Sequence, residues 1–488
     1  MIVLKDILYR VRMEAVAGNT AVAINNLHFD SRKVELNDCF VAIRGTVSDG
    51  HDFIAKAVDQ GALVVVCEEL PDNVVNGITY VQVKDSKEAL AYMAANYYGN
   101  PSEKLQLVGV TGTNGKTTIA TLLYDLFSKA GFKVGLLSTV KVMVGDQSFE
   151  AIRTTPDSIT INSYLKQMND TGVEFCFMEV SSHGIDQHRT TALEFAGGIF
   201  TNLSHDHLDY HKTFAEYRDV KKRFFDELPA SAFALVNVDD KNGRVMLQNT
   251  KAKKYTYALK SYADYRAQIL ENQFTGLLLK VNDQEVWSKL IGNFNAYNVL
   301  AIYAAADLLG LGAMESLKII SELNSVNGRF QYVISPKEKI TAIVDYAHTP
   351  DALKNVLETI NAIRTRNENL ITVVGCGGDR DRTKRPKMGH IASALSSKVI
   401  FTSDNPRTED PEKIIEEVEA GVEPQNVKKT ISVTNRKQAI KTACQMAEKN
   451  DIILIAGKGH ETYQEINGER FDFDDLKIVN EFLEQLNK

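Results

Sequence analysis

Ten consecutive residues have the types and order of a phosphate site: Gly109-Val110-Thr111-Gly112-Thr113-Asn114-Gly115-Lys116-Thr117-Thr118. Glycines let backbone N–H groups close around an anion, a lysine reaches the outer phosphates of a nucleoside triphosphate, and the Thr117 hydroxyl can ligate Mg²⁺. The common G-x-x-x-x-G-K-T loop carries glycine where this chain has Val110, so Gly112-x-x-Gly115-Lys116-Thr117 is a tighter variant. The chemistry this pattern offers is the binding and use of a nucleoside triphosphate.

Other polar clusters stand ready to join it. Glu179 closes the apolar run Phe175-Cys176-Phe177-Met178 and is placed to hold Mg²⁺ directly or through water. His205-Asp206-His207-Leu208-Asp209-Tyr210-His211 admits two readings, a zinc site or one imidazole beside a hard, oxygen-ligated Mg²⁺. Lys221, Lys222 and Arg223 read as a solvated helix face. The asparagines of Gly292-Asn293-Phe294-Asn295-Ala296-Tyr297-Asn298 suit either a helix cap or amide hydrogen bonds to a base. Asp30-Ser31-Arg32 and Asp49-Gly50-His51 read as polar turns. Three glycine-rich or charged segments follow later strands: Gly375 to Arg380, Ser403-Asp404-Asn405-Pro406-Arg407, and Gly457-Lys458-Gly459-His460-Glu461.

The elements that must position these groups are strands and helices in alternation. Leu105 to Val108 is a buried strand, and Ile119, Leu122, Leu123, Leu126 and Phe127 form one face of a helix ended by Gly131. Further strands are expected at 40–43, 62–66, 79–83, 175–178, 198–202, 234–238, 340–345, 370–374, 398–402 and 451–456. Thr349 caps a helix with Pro350 in its first turn, continued by Leu353, Val356, Leu357, Ile360 and Ile363. Polar clusters at successive strand ends describe a doubly wound parallel sheet with its site on one edge.

A chain of 488 residues exceeds one hydrophobic core, and Asn100-Pro101-Ser102 suits a linker. We therefore expect an α/β protein of three domains: residues 1–100, a central ATP-binding P-loop sheet over 101–330, and a C-terminal Rossmann-like doubly wound sheet over 331–488. Its net charge of −7 argues against broad nucleic-acid or membrane-surface binding. Five dispersed cysteines without a C-x-x-C pair suit reduced, buried thiols. No apolar run approaches the roughly 20 residues of a membrane span, and early charges rule out a signal peptide, so the cytoplasm is the expected compartment.

Together the phosphate loop, Glu179-Val180-Ser181-Ser182-His183-Gly184 and Asp345-Tyr346-Ala347-His348-Thr349-Pro350 resemble the Mur ligases, ATP-dependent amino-acid-adding enzymes of peptidoglycan synthesis, and in particular their diaminopimelate-adding branch. The resemblance spans essentially the whole chain. It implies an N-terminal domain for a uridine nucleotide, a central ATPase domain and a C-terminal domain that brings the amino acid. The substrates it implies are UDP-MurNAc-L-Ala-D-Glu, ATP and meso-2,6-diaminopimelate, handled by a monomer.

Residue by residue, Phe29, Ser31, Thr46, Val47 and Ser48 match the family's uridine-nucleotide contacts. Thr154, Thr155, Ser181, Gln187 and Arg189 match its muramoyl-peptide contacts. Gly112 to Thr118, with Asn298, Arg329 and Asp345, match the ATP contacts. Lys221, four residues after Tyr217, matches a lysine that is carbamylated in the family. A CO₂-derived carbamate there would turn a cation into a metal ligand, beside Thr117, Glu179 and His207, in a site for two Mg²⁺. Lys116, Lys221 and His207 are the catalytic set. Arg380, Asp404, Asn405, Pro406, Arg407, Gly457 and Glu461 match the diaminopimelate pocket, with Arg407 a planar fork for the distal carboxylate. One departure is Arg153, where many relatives have asparagine.

Overall fold

The computed structural model describes residues 1–45, 48–204 and 210–488. The chain forms two compact units: residues 1–112, 119–201 and 215–256 make the first, and residues 113–118, 202–214 and 257–488 the second. The expected cuts near 100 and 330 divide the chain more finely than this. Among the described residues no helix is long and apolar enough to cross a membrane.

Two larger sheets, with a short pairing of Ile2–Val3 and Ala23–Ile24, build the first unit. One has the strand order Met13–Ala17, Thr79–Val83, Val64–Cys67, Cys39–Val41, Leu27–His28, with all but the first pairing parallel. Val64–Cys67 is buried throughout, and two apolar clusters pack on the sheet's two faces, as a parallel strand covered on both sides requires. In the other sheet Gln106–Thr111 runs between Phe175–Glu179 and Gly197–Phe200, parallel to both. Register brings Glu179 beside Val110 and Phe200 beside Thr111, so these strands deliver their last residues to one edge. The helix Lys116–Lys129 starts four residues beyond Gly112, and its predicted stripe, Ile119, Leu122, Leu123, Leu126 and Phe127, is fully buried. Gly131, at φ 95°, closes it, its N–H donating to the Ser128 carbonyl and that of Phe132 to the Phe127 carbonyl.

In the second unit the antiparallel strands Tyr265–Gln273, Gly276–Val281 and Gln284–Ser288 precede the helices Asn293–Leu308 and Ala313–Glu322. A six-stranded sheet follows in the order Gln331–Ile334, Thr341–Asp345, Ile452–Ala456, Leu370–Val374, Lys398–Phe401, Thr430–Ser432. The first pairing is antiparallel and the rest parallel. Pro350–Ile363, Lys384–Leu395 and Pro411–Glu419 contribute to the core on one face, Arg436–Met446 and Asp475–Gln485 to that on the other. This is the expected doubly wound sheet. The Thr349 hydroxyl accepts from Ala352 N–H, with Pro350 in the first turn. All five cysteines are free and buried.

Candidate active site

Within the second unit the phosphate loop is held from the side. Thr113 N–H donates to the Asn202 carbonyl at 2.8 Å, and Asn114 N–H to Asn202 Oδ1 at 3.0 Å. Lys116 Nζ folds over the loop to the Thr113 carbonyl at 2.8 Å, which keeps the ammonium at the anion site. Gly115 has φ 89°, a conformation that favours glycine. Asn202 was missed by the sequence reading; its signal was a polar residue just past the strand Gly197–Phe200, which neighbours the loop's own strand.

Arg329 reaches the same loop, Nη2 donating to Thr117 Oγ1 at 3.0 Å while its guanidinium lies 4.6 Å from the Tyr346 ring centroid. Asp345 accepts from Phe330 N–H at 2.7 Å. Burial pushes its carboxyl up to about 6, against the opposing pull of Arg329 and the Phe330 and Ala347 N–H groups. Asp351, in the first turn of Pro350–Ile363, accepts from Ser204 Oγ at 2.7 Å and Asn114 Nδ2 at 3.3 Å. Asn298 lies inside the helix Asn293–Leu308, donating to Asn295 Oδ1 at 2.9 Å, and Gly292 stands at the cap without a side-chain bond. Capping is therefore not the role of these asparagines.

In the first unit Glu179 is buried, and it accepts from Thr139 N–H at 2.7 Å and Thr139 Oγ1 at 3.0 Å. Thr139 is a second residue the sequence reading passed over. Thr155 Oγ1 donates to the Glu179 carbonyl at 2.8 Å and accepts from Ser181 N–H at 3.0 Å. Thr154 Oγ1 lies 3.2 Å from Thr139 Oγ1, whose one proton goes to Glu179. Ser181 caps the short helix Ser182–Asp186 through Gly184 N–H.

The solvated-face reading of Lys221, Lys222 and Arg223 is wrong for the two lysines. Lys221 is 1% exposed on the helix Phe214–Asp226, and its Nζ donates to the Gly112 carbonyl at 3.0 Å, 4.8 Å from the Tyr217 ring centroid. Lys222 is buried and pairs with Asp226 at 2.7 Å. The helix must pack Tyr217, Val220, Phe224 and Phe225 inward, and a one-turn stripe wide enough for these carries both lysines with it.

A cavity of about 650 Å³ opens in the first unit. Its lining includes Phe29, Ser31, Ser48, Gln187 and Arg189 from the expected nucleotide and peptide contacts, and also Arg153. Arg189 donates to the Thr155 carbonyl at 2.7 Å and to Gln187 Oε1 at 2.6 Å. Among the described lining residues, Arg32, Lys56, Lys87, Arg153 and Arg189 outnumber Asp30 and Asp157, so the cavity suits an anion. Asp30 is engaged by Arg32, whose hydrogen bonds hold its carboxyl down at about 2. Thr46, Val47 and His207 lie outside the described residues.

In the second unit the loops at the carboxyl edge of the six-stranded sheet gather a charged pocket. Arg407 sits at φ 50°, unusual for a residue with a side chain, and both of its backbone groups are clamped. Its N–H donates to the Glu465 carbonyl at 3.1 Å and its carbonyl accepts from Asn467 N–H at 2.7 Å. Its Nη1 donates to the Gly378 carbonyl at 2.7 Å. Asn405 Nδ2 donates to Glu461 Oε2 at 2.8 Å. Gly457 has φ 116°, and a Cβ there would lie 2.4 Å from Asp404 Oδ2. The hairpin of Tyr463–Ile466 and Glu469–Asp472, absent from the sequence reading, does the clamping. Its signal was Asn467-Gly468, which takes positive φ at both positions in the manner of a type I′ turn. Arg380 is exposed and donates to the Asp379 carbonyl, its Cγ 4.0 Å from a Cβ position at Gly377 that lies 3.1 Å from Arg407 Nη1.

Among the described residues no three of His, Cys, Asp and Glu form a metal cluster. Mg²⁺ is bound through few protein oxygens, with water and phosphate completing its shell, and the buried Glu179 carboxylate and Thr117 hydroxyl are donors of that hard type.

A strand, a glycine loop and a helix carrying Lys116 and Thr117 define a phosphate-loop nucleotide-using α/β protein. Comparison with known proteins narrows this. Three family descriptions match: "Mur ligase family, catalytic domain" over residues 23–98, "Mur ligase middle domain" over 110–306, and "Mur ligase, glutamate ligase domain" over 328–459. The chain belongs to the Mur ligase family. A relative from Cytophaga hutchinsonii, named UDP-N-acetylmuramoyl-L-alanyl-D-glutamate–2,6-diaminopimelate ligase, is 54% identical over 99% of this chain and 100% of its own length. One of the same name from Bacteroides thetaiotaomicron is 52% identical over 98% and 99%. A solved structure of a ligase of that name aligns with TM-score 0.71 at 32% identity, covering 100% of this chain and 99% of that one.

Proposed function

We propose that the chain is the ATP-dependent ligase that joins meso-2,6-diaminopimelate to UDP-MurNAc-L-Ala-D-Glu, working as a cytoplasmic monomer. Near-complete alignment at 54% identity with a relative of that name carries the reading, and the pocket around Arg407 agrees with it. The three domains are residues 1–100 for the uridine nucleotide, 101–330 for ATP and 331–488 for the amino acid.

A carboxylate is a poor electrophile and must be activated. An oxygen of the terminal D-Glu carboxylate attacks the γ-phosphorus of ATP, the bond to the ADP oxygen breaks, and an acyl phosphate forms. The amine of diaminopimelate then attacks the acyl carbon, loses a proton, and phosphate leaves. Lys116 and Arg329 face the phosphates and offset the repulsion between two polyanions. Asp345 holds the backbone beside Arg329 in place through Phe330 N–H. The five basic side chains of the cavity hold the nucleotide-linked substrate, with Arg153 among them. Arg407 pairs with the distal carboxylate of the acceptor and Glu461 with its distal ammonium.

Mg²⁺, when bound, supplies charge neutralisation at the transferring phosphoryl group. Thr117, Glu179, His207 and Lys221 as a carbamate would hold the two ions, and the buried Lys221 amine beside the loop backbone suits that modification better than a solvated lysine does.

The test is phosphate release by the full chain with ATP and UDP-MurNAc-L-Ala-D-Glu, with meso-diaminopimelate, L-lysine or L-ornithine as acceptor. Turnover is expected with meso-diaminopimelate and little with the other two. Release that ignores the acceptor would make the protein an ATPase switch, and preference for lysine would reassign the pocket.

A further inference from the structure

Lys458 follows the strand Ile452–Ala456 in the segment that also carries Gly457 and Glu461, and its side chain is wholly buried. An ammonium taken out of water is destabilising unless its surroundings replace the lost hydration. Its Nζ donates to Asn405 Oδ1 at 2.8 Å and to Glu461 Oε2 at 3.2 Å, and lies 3.8 Å from Asp404 Oδ1. Asn405 closes the triangle, its Nδ2 donating to Glu461 Oε2 at 2.8 Å. Asn405 Oδ1 takes a second hydrogen bond, from Glu465 N–H at 2.9 Å.

These contacts dictate which way the amide points. Two donors, an ammonium and a backbone N–H, face one atom of the amide, so that atom is the oxygen and the NH₂ faces the carboxylate. Glu461 Oε2 is thereby engaged twice from within, and Oε1, 3.5 Å from the Tyr346 hydroxyl, is the oxygen turned to other partners. A lysine serving only to fill the core could pair with any one carboxylate. This one touches three of the residues that line the acceptor pocket.

We infer that Lys458 is a positioning residue for the acceptor: it orients the Asn405 amide and fixes the Asp404 and Glu461 carboxylates so that they meet the distal ammonium of a diamino acid. The inference rests on the acceptor reading of this pocket.

Steady-state phosphate release by the full chain tests it. In Lys458→Met, which keeps a linear stem without charge or donors, the KM for meso-diaminopimelate is expected to rise at least about 30-fold, while those for ATP and the nucleotide substrate stay within about threefold. Lys458→Gln can still donate to Asn405 Oδ1, and recovery of about tenfold of the loss is expected from it. An equal rise in all three KM values, a Gln variant no better than Met, or variants that no longer gain thermal stability from ATP would overturn the inference and leave Lys458 a folding residue. Wild-type protein that does not use meso-diaminopimelate would instead remove the reading of the pocket itself.

Discussion

Lys221 shows how a residue's surroundings change its chemistry. Its ammonium is 1% exposed and donates to a backbone carbonyl, and that carbonyl belongs to Gly112 at the entrance of the phosphate loop. Reaction with CO₂ would convert it to an anion and a metal ligand at the place where phosphate charge has to be neutralised. Replacing Lys221 with alanine is expected to lower kcat by about two to four orders of magnitude with a small effect on the KM for the acceptor, the pattern of a group that acts on the transition state. Added formate or acetate, supplying a carboxylate to the vacated volume, is expected to restore part of kcat. Full activity in the alanine variant would show that no carbamate is used.

Elements decide which of these residues can be found in a sequence. The phosphate loop, its helix and the strands of the doubly wound sheet were legible because each is a local pattern: a buried run, a helical stripe, a glycine at the turn. Thr139, Asn202 and Lys458 were not, because each acts on a partner brought by another strand, and only pairing order reveals that Phe175–Glu179 and Gly197–Phe200 flank Gln106–Thr111. The buried lysines misled for a related reason, since three cations in a row say nothing of which face the helix turns inward. The hairpin at 463–472 is the clearest element-scale case. Gln464 Nε2 donates to the Asp404 carbonyl at 2.6 Å, Glu465 N–H reaches Asn405, and the backbone of Arg407 is bound at both ends, so one short hairpin fixes the whole 404–407 turn. Gly468 has φ 83° with open space around it, so Gly468→Val strains the turn through backbone conformation alone, at about 1–2 kcal/mol. The expected result is a several-fold rise in the KM for meso-diaminopimelate with the KM for ATP unchanged; no change in either would mean that the hairpin does not position Arg407.

At the scale of the whole molecule, buried ionisable groups set how stability responds to acid, and two of them pull in opposite directions. Burial raises Asp345 from 3.8 to about 6, so between those values the folded carboxyl keeps a proton that the unfolded chain has released. Its contribution to stability is fully present below pH 3.8 and is lost as pH rises through 6. Burial, reinforced by Arg329, His348 and Lys458, lowers His460 from 6.5 to about 3, so there the unfolded chain holds the extra proton. That contribution is present above pH 6.5 and is lost as pH falls through 3. At about 1.4 kcal/mol per unit these amount to roughly 3 kcal/mol for Asp345 and roughly 5 kcal/mol for His460. Because their windows overlap between pH 4 and 6, the two slopes largely cancel in the intact protein. Below that range His460 acts together with Glu409, which Arg385 holds down at about 2 and whose stabilisation fades as pH falls from 4.5. Equilibrium unfolding across pH, compared variant by variant, exposes the hidden terms. Relative to Asp345→Asn, the wild type is expected to lose about 2 kcal/mol as pH rises from 4 to 6, and relative to His460→Gln, to gain about 4 kcal/mol as pH rises from 3 to 6.5. Difference curves that are flat in both variants would mean that neither group is held away from its ordinary titration by the fold.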